Sequence, residues 1–141
     1  MSALRENDEG RSTRPRSGTD HRAHRVHSVL IVEDDVDVAA ALARLLTAWG
    51  HHVTVAHDGP AALAAMQDTQ PDIAHLDIDM PAMDGYEFAA HLRFQPGCEE
   101  LPIVAITGSG APEDIRQSLA RGFSAHLVKP VSAASLRALL E

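Results

Sequence analysis

Three carboxylates, a hydroxyl and an ammonium follow four of the five short apolar runs in the sequence. Glu33 and Asp34 follow the first run and Asp77 follows the third, whereas Thr107 and Lys129 follow the last two. Carboxylates packed close together recruit a cation, and oxygen ligands without His or Cys suit Mg²⁺. Beside an ammonium and a hydroxyl, they would form a pocket for a phosphoryl group. Asp77 would then act as an in-line nucleophile and form an acyl phosphate.

Lys129 is the only lysine of the chain, and the other eleven basic residues are arginines. Because an arginine would serve wherever a positive charge alone is needed, the compact ammonium of lysine is indicated at this position. Carboxylates that follow a strand also cap the next helix. For Asp35, capping is the preferred interpretation.

This pocket requires a fold that brings the ends of the apolar runs together. The runs are typical of buried strands and lie at residues 29–32, 53–55, 73–76, 103–106 and 125–128. Segments with helical spacing follow them, and the first of these contains Leu42, Leu45, Leu46 and Trp49 on one helix face. Five such strand–helix units predict a parallel sheet with helices on both faces. In such a sheet the functional site lies beyond the carboxyl ends of the strands.

The predicted helices have recognisable starts and inward faces. Asp35 or Asp37 can cap the first helix. The fourth helix is predicted over residues 112–121, with Ile115 and Leu119 facing inward. Right-handed crossovers through these helices leave few topologies for the sheet.

Length and composition favour one ordinary globular domain. The chain has 141 residues, of which 45% are hydrophobic and 23% are charged. No apolar run approaches the roughly 18 residues of a membrane span. Since Cys98 is the only cysteine, an intrachain disulfide and a cysteine-based zinc cluster are excluded. The N-terminus also lacks the pattern of a secretory signal, so a reducing, cytoplasmic location is predicted.

Charge divides the sequence into two parts. Residues 1–27 carry a net charge of +2 and show no apolar period, so we predict a disordered basic tail or linker. The spacing of His21, His24 and His27 is attributed to this solvated tail and not to a metal motif. Residues 28–141 carry a net charge of −10, which disfavours direct binding of nucleic acid by this part.

Four motifs then occur in a characteristic order: VLIVEDD (29–35), LDIDMPAMDG (76–85), PIVAITG (102–108) and LVKP (127–130). In these motifs the segment 28–141 resembles the receiver domain of two-component response regulators. The resemblance implies an α/β, flavodoxin-like (βα)5 doubly wound sheet with five parallel strands in the order 2-1-3-4-5. It also implies that the protein is a signalling module and not an enzyme. Such a module takes a phosphoryl group from a phosphohistidine and loses it slowly by hydrolysis.

The resemblance implies a role for each residue of the acidic cluster. Asp77 matches the phosphorylated aspartate. Glu33 and Asp34 match the acidic pair that holds Mg²⁺, Asp34 as a direct ligand and Glu33 largely through water. The main-chain carbonyl of Asp79 matches the third protein ligand of the metal, and its additional carboxylate could alter the lifetime of the phosphorylated state. Thr107 matches the switch hydroxyl that turns toward the phosphoryl group.

Three further positions are interpreted in the same way. Lys129 matches the lysine that pairs with the phosphoryl group, and its bond to Pro130 is of the type that can be cis. His126 stands at the position of the switch aromatic residue, where it would either rotate between buried and exposed states or be a partly exposed strand residue. His75 stands where a core residue is usual, and we predict a structural histidine with satisfied hydrogen bonds.

Partners and alternatives follow from the resemblance as well. The donor would be a histidine kinase or a histidine phosphotransfer protein, and a downstream protein would bind the face of helix 4, strand 5 and helix 5. No effector domain is expected after the receiver, and no membrane partner.

Three alternatives to this function remain open. They are a receiver domain of a hybrid histidine kinase, a degenerate receiver used only as a binding surface, and a haloacid dehalogenase-type phosphohydrolase. Asp77-Ile78-Asp79 also fits the D-x-D pattern of such phosphohydrolases.

Overall fold

The computed structural model describes residues 25–141, so most of the predicted tail at residues 1–27 lies outside the described residues. Strands and helices alternate strictly along the described part of the chain. In order, they are β1 (Ser28–Val32), α1 (Val36–Ala48), β2 (His52–Ala56), α2 (Gly59–Asp68), β3 (Ile73–Asp77), α3 (Gly85–Arg93), β4 (Ile103–Thr107), α4 (Pro112–Ala120), β5 (Ala125–Val128) and α5 (Ala133–Leu140). Among the described residues, no helix has both the length and the apolar character needed to cross a bilayer.

The five strands form one parallel sheet in the order β2-β1-β3-β4-β5. This confirms the predicted α/β fold and the strand order 2-1-3-4-5. The register pairs Val32 of β1 with Leu76 of β3, and Asp77 of β3 with Ile106 of β4. The carboxyl ends of β1, β3 and β4 are therefore nearly level, which brings the residues that follow them to one edge of the sheet.

Helices cover the sheet on both faces and divide its apolar residues into two cores. On one face, side chains of α2 and α3 such as Ala62, Phe88 and Leu92 pack against alternate strand residues. On the other face, side chains of α1 and α5 such as Leu46 and Leu136 do the same. Because both faces are covered, the strands read as continuous apolar runs in the sequence.

Side-chain caps fix the starts of four helices. Asp35 caps α1, since its carboxylate accepts hydrogen bonds from the amides of Asp37 and Val38. Asp35, and not Asp37, is therefore the N-cap of this helix. The helices α2, α3 and α5 are capped in the same way by Asp58, Asp84 and Ser132. Only α4 lacks a side-chain cap among these five helices.

The inward face of α4 differs from the prediction. Ile115 is half-buried, but Leu119 is 48% exposed, and Ser118 is the buried residue of this helix. The prediction that Leu119 faces inward is therefore wrong. The reason is polar: the Ser118 hydroxyl contacts the Ile115 carbonyl and the ring of His126 on β5, so a serine takes the inward position.

Candidate functional site

The carboxylates of Glu33, Asp34 and Asp77 converge at the carboxyl edge of the sheet. One oxygen from each lies within 4.8 Å of the others. Glu33 and Asp77 are buried at 2% exposure, whereas Asp34 faces solvent. The sheet register produces this cluster, because Glu33 directly follows β1 and Asp77 is the last residue of the adjacent strand β3. The arrangement is an acidic pocket compatible with a divalent cation.

Lys129 places its ammonium between two of these carboxylates. Its Nζ is 3.1 Å from Asp77 Oδ2 and 3.4 Å from Glu33 Oε1. The backbone is positioned by a hydrogen bond from the Lys129 amide to the Thr107 carbonyl and by a cis peptide bond to Pro130. Partial burial lowers the pKa of Lys129, but the hydrogen bond to Asp77 and the charges of Asp77 and Glu33 outweigh it and raise the pKa overall.

Glu33 has an unusual protonation equilibrium. Burial, together with the hydrogen bond and the negative charge of Asp77, raises the pKa of Glu33 to about 7, although the Asp35 amide and Lys129 act in the opposite direction. The Asp35 amide donates to Glu33 Oε2 over 3.1 Å. One ammonium therefore does not balance the three carboxylates, which is the situation in which a cluster of hard oxygen ligands takes up a cation.

Thr107 ends β4 and is 5% exposed beside this cluster. Its hydroxyl donates to the carboxylate of Asp79, with Oγ1 at 3.2 Å from Oδ1 and 3.1 Å from Oδ2. The Gly108 amide donates to the same Oδ2 over 2.7 Å. The Asp79 amide in turn donates to Asp77 Oδ1 over 2.9 Å. The position of Thr107 near the cluster follows from the sequence, whereas these contacts of the Asp79 side chain do not.

His126 joins β5 to the loop after β4 and to α4. Its Nδ1 is 2.8 Å from Ser118 Oγ, and its Nε2 is 2.9 Å from the carbonyl oxygen of Ser109. Because a carbonyl oxygen only accepts, Nε2 carries a hydrogen. The ring is half-buried and turned inward, so it bonds to the loop that begins at Thr107.

Both the sequence and the fold match a family of known proteins. The model of the response regulator receiver domain family matches residues 29–141. The chain belongs to the response regulator receiver domain family. Receiver domains are signalling modules, so this membership favours the receiver prediction over the haloacid dehalogenase-type alternative.

Similar proteins support the assignment to receiver domains. An uncharacterized 14.6 kDa protein of Leptolyngbya boryana is 35% identical over 113 residues, which are 80% of this chain and 86% of that protein. The transcriptional regulatory protein AfsQ1 of Streptomyces coelicolor is 33% identical, over 80% of this chain and 51% of AfsQ1. The chain thus spans about half the length of AfsQ1. The fold is also similar to the structure of the chemotaxis response regulator CheY4 of Vibrio cholerae, with a TM-score of 0.75 and 32% sequence identity. The alignment covers 82% of this chain and 97% of the CheY4 chain.

His75 is the one residue of this receiver domain whose environment contradicts its polarity. It is fully buried on β3, where the register places it between Ile31 and Val104. Both ring nitrogens lack a hydrogen-bond partner among the described residues. The prediction of satisfied hydrogen bonds is therefore wrong, because the neighbouring strand residues belong to an apolar core. Burial lowers the pKa of His75 to about 4, so the ring is neutral at neutral pH.

Proposed function

We propose that this chain is a phosphoacceptor receiver domain in which Asp77 takes a phosphoryl group from a phosphohistidine. The donor is a histidine kinase or a histidine phosphotransfer protein, and residues 28–141 are the functional unit. The observation that carries the proposal is the position of Asp77, which is buried beside Glu33 and Asp34 and lies 3.1 Å from the ammonium of Lys129. Such a carboxylate is screened by an ammonium while it approaches an anionic phosphoryl group.

The proposed transfer exchanges one bond to phosphorus for another. A carboxylate oxygen of Asp77 attacks phosphorus, and the bond between phosphorus and the imidazole nitrogen of the donor breaks. The electron pair stays on that nitrogen, which takes up a proton from solvent. The products are an acyl phosphate on Asp77 and a free histidine. The acyl phosphate is then lost slowly by hydrolysis: water attacks phosphorus, the bond between phosphorus and the Asp77 oxygen breaks, and the Asp77 carboxylate and inorganic phosphate are released.

Mg²⁺ is the cofactor that we propose for this site. Asp34, Asp77 and the main-chain carbonyl of Asp79 would hold it directly, and Glu33 would hold it largely through water. When bound, Mg²⁺ neutralises charge on the oxygens of the phosphoryl group. The excess of carboxylates over the single ammonium supports this assignment, and so does the absence of His and Cys from the cluster.

Thr107 and His126 are the residues proposed to transmit phosphorylation to a partner. Thr107 would turn its hydroxyl toward the phosphoryl group, and the loop after β4 would move with it. His126 lies on β5 and bonds to Ser109 of that loop and to Ser118 of α4, so its contacts connect the loop to α4 and β5. The proposed output surface is therefore the face of α4, β5 and α5, where a downstream protein binds.

The proposal is tested by incubating the protein with acetyl phosphate and Mg²⁺, followed by intact mass spectrometry. We expect one added phosphoryl group per chain, which hydroxylamine removes because acyl phosphates react with it. A chelator should prevent the labelling. A folded protein that takes up no phosphoryl group under these conditions would contradict the proposal and would favour the degenerate receiver.

Replacing Lys129 with arginine should impair the conformational response more than the fold. The ammonium of Lys129 contacts Asp77 and Glu33 as a point charge, and a planar guanidinium cannot reproduce both distances in this space. We expect the amide resonances of Thr107 and Gly108 to shift with beryllofluoride in the wild type and to shift far less in Lys129→Arg. The converse exchange Arg44→Lys, on an exposed position of α1, is the matched control. A full response in Lys129→Arg would remove the argument for an essential lysine.

A further inference from the structure

The carboxylate of Asp79 is bound to two donors at the end of β4. One is the Thr107 hydroxyl, at 3.2 Å from Oδ1 and 3.1 Å from Oδ2, and the other is the Gly108 amide, at 2.7 Å from Oδ2. Thr107 is 5% exposed, so its hydroxyl has little access to water as a substitute partner. The contact joins the loop after β3 directly to the loop after β4.

Each of these donors has a single hydrogen to give. A threonine hydroxyl carries one hydrogen and a backbone amide carries one, so neither donates fully to a second anion while Asp79 accepts both. The orientation of the hydroxyl is further fixed because the Ser109 amide donates to Thr107 Oγ1 over 3.2 Å. Hydrogen bonds from neutral donors to a carboxylate are also stronger than those to a neutral acceptor.

We propose that the Asp79 carboxylate is an internal occupant of the anion site formed by Thr107 and Gly108, and that a phosphoryl group on Asp77 must displace it. This inference rests on the proposed role of Asp77 as the phosphoacceptor. The Asp79 side chain then has a positioning role, because it holds the two donors in the unphosphorylated state and takes no part in the transfer itself. The backbone of Asp79 stays tied to Asp77 through its amide, so displacement requires only the side chain to turn away.

The inference predicts a gain of anion affinity when the carboxylate is removed. In Asp79→Ala, both donors are free and one negative charge beside the pocket is gone. We expect the Mg²⁺-dependent affinity for beryllofluoride, a phosphoryl analogue, to rise about tenfold over the wild type. In a Thr107→Ala background the same Asp79→Ala change should give a smaller gain, because one of the two competed donors is absent. A purely electrostatic effect of Asp79 would give the same gain in both backgrounds.

A second measurement needs neither metal nor anion. In the ligand-free protein, the Gly108 amide proton should resonate downfield in the wild type because it is bonded to a carboxylate. In Asp79→Ala it should move upfield and exchange faster with water. Asp37→Ala is the matched control, since Asp37 is an exposed carboxylate in the first turn of α1 near the same edge of the sheet. It removes the same charge and should leave the Gly108 amide and the beryllofluoride affinity within about twofold of the wild type.

The outcomes separate this inference from the proposed function. If the wild type binds beryllofluoride and Asp79→Ala binds it no more tightly than Asp37→Ala, the inference is wrong and the proposed function stands. An unchanged Gly108 amide in Asp79→Ala also overturns the inference, whatever the anion does. If no variant binds beryllofluoride, both proposals fail. Should Asp79→Ala fold poorly, Asp79→Asn serves instead, because its neutral amide oxygen is a weaker acceptor than the carboxylate; it should show an intermediate gain, and no gain contradicts the inference.

Discussion

Asp77→Asn should abolish the labelling by acetyl phosphate that we expect for the wild type. An amide oxygen is a far weaker nucleophile than a carboxylate, and the substitution also removes the anionic partner that lies 3.1 Å from Lys129. We expect the rate of labelling to fall at least about a hundredfold, which corresponds to an activation free energy higher by nearly 3 kcal/mol. Intact mass spectrometry in the presence of Mg²⁺ measures both variants directly.

Two further variants show whether Asp77 is the acceptor or merely a neighbour of it. Asp79→Asn changes the carboxylate that is nearest to Asp77 in the sequence and should leave one phosphoryl group per chain. Asp37→Asn removes an exposed charge near the same edge of the sheet and should label like the wild type. If label persists on Asp77→Asn, or disappears from Asp79→Asn while the protein stays folded, then the acceptor has been assigned to the wrong carboxylate.

Replacing His75 with leucine should stabilise the domain by about 1–3 kcal/mol at neutral pH. His75 is fully buried in an apolar core, and both of its ring nitrogens lack a partner among the described residues. A leucine of similar volume keeps the packing and removes the cost of an unmade hydrogen bond. Urea or thermal unfolding without added metal measures the difference in the free energy of unfolding.

This stabilisation should grow as the pH falls. Burial lowers the pKa of His75 in the folded state to about 4, from an ordinary value of 6.5. At pH values between these two pKa values, the unfolded chain binds a proton that the folded chain does not, so acid favours unfolding. At pH 5 the additional penalty of His75 is about 2 kcal/mol, and His75→Leu is free of it.

The wild type must be compared with His75→Leu because the titration of Glu33 changes the free energy of unfolding in the opposite direction. The pKa of Glu33 is raised to about 7 from 4.5, so over this range the folded state binds the extra proton and gains stability as the pH falls. Glu33 is common to both proteins, and its contribution cancels in the difference between them. His75→Gln is the second control, since it keeps a buried polar group that does not titrate. A stability difference between wild type and His75→Leu that stays constant from pH 7.5 to pH 5 would contradict the assignment.

The position of the acidic site could be predicted because its determinants are local. Each strand is a short apolar run, and each functional side chain comes at its end, so a parallel sheet must bring these residues to one edge. That Glu33, Asp34, Asp77 and Lys129 lie at one edge required no knowledge of which strands are neighbours, whereas their contact depends on the order of the strands. The order of the strands, by contrast, was available only through the resemblance to receiver domains, since periodicity does not distinguish one arrangement of parallel strands from another.

The predictions that were wrong concern contacts between different elements, which the pattern within one element does not reveal. Leu119 fits the inward spacing of α4, but the polar partner that draws Ser118 inward instead is His126 on β5. His75 was expected to find a hydrogen-bond partner, yet the register surrounds it with apolar residues of neighbouring strands. The contacts of the Asp79 side chain depend on how two loops approach each other, and neither loop has a periodic pattern.

The burial of a serine on α4 has a consequence for how the domain opens. Helices α1, α3 and α5 are anchored by leucines in the two cores, whereas α4 buries only Ser118 and has no side-chain cap. Water can replace a hydroxyl's hydrogen bonds at small cost, but it cannot replace apolar packing. In native-state hydrogen exchange, α4 should therefore be the helix of lowest local stability, able to undock while the rest of the domain remains folded.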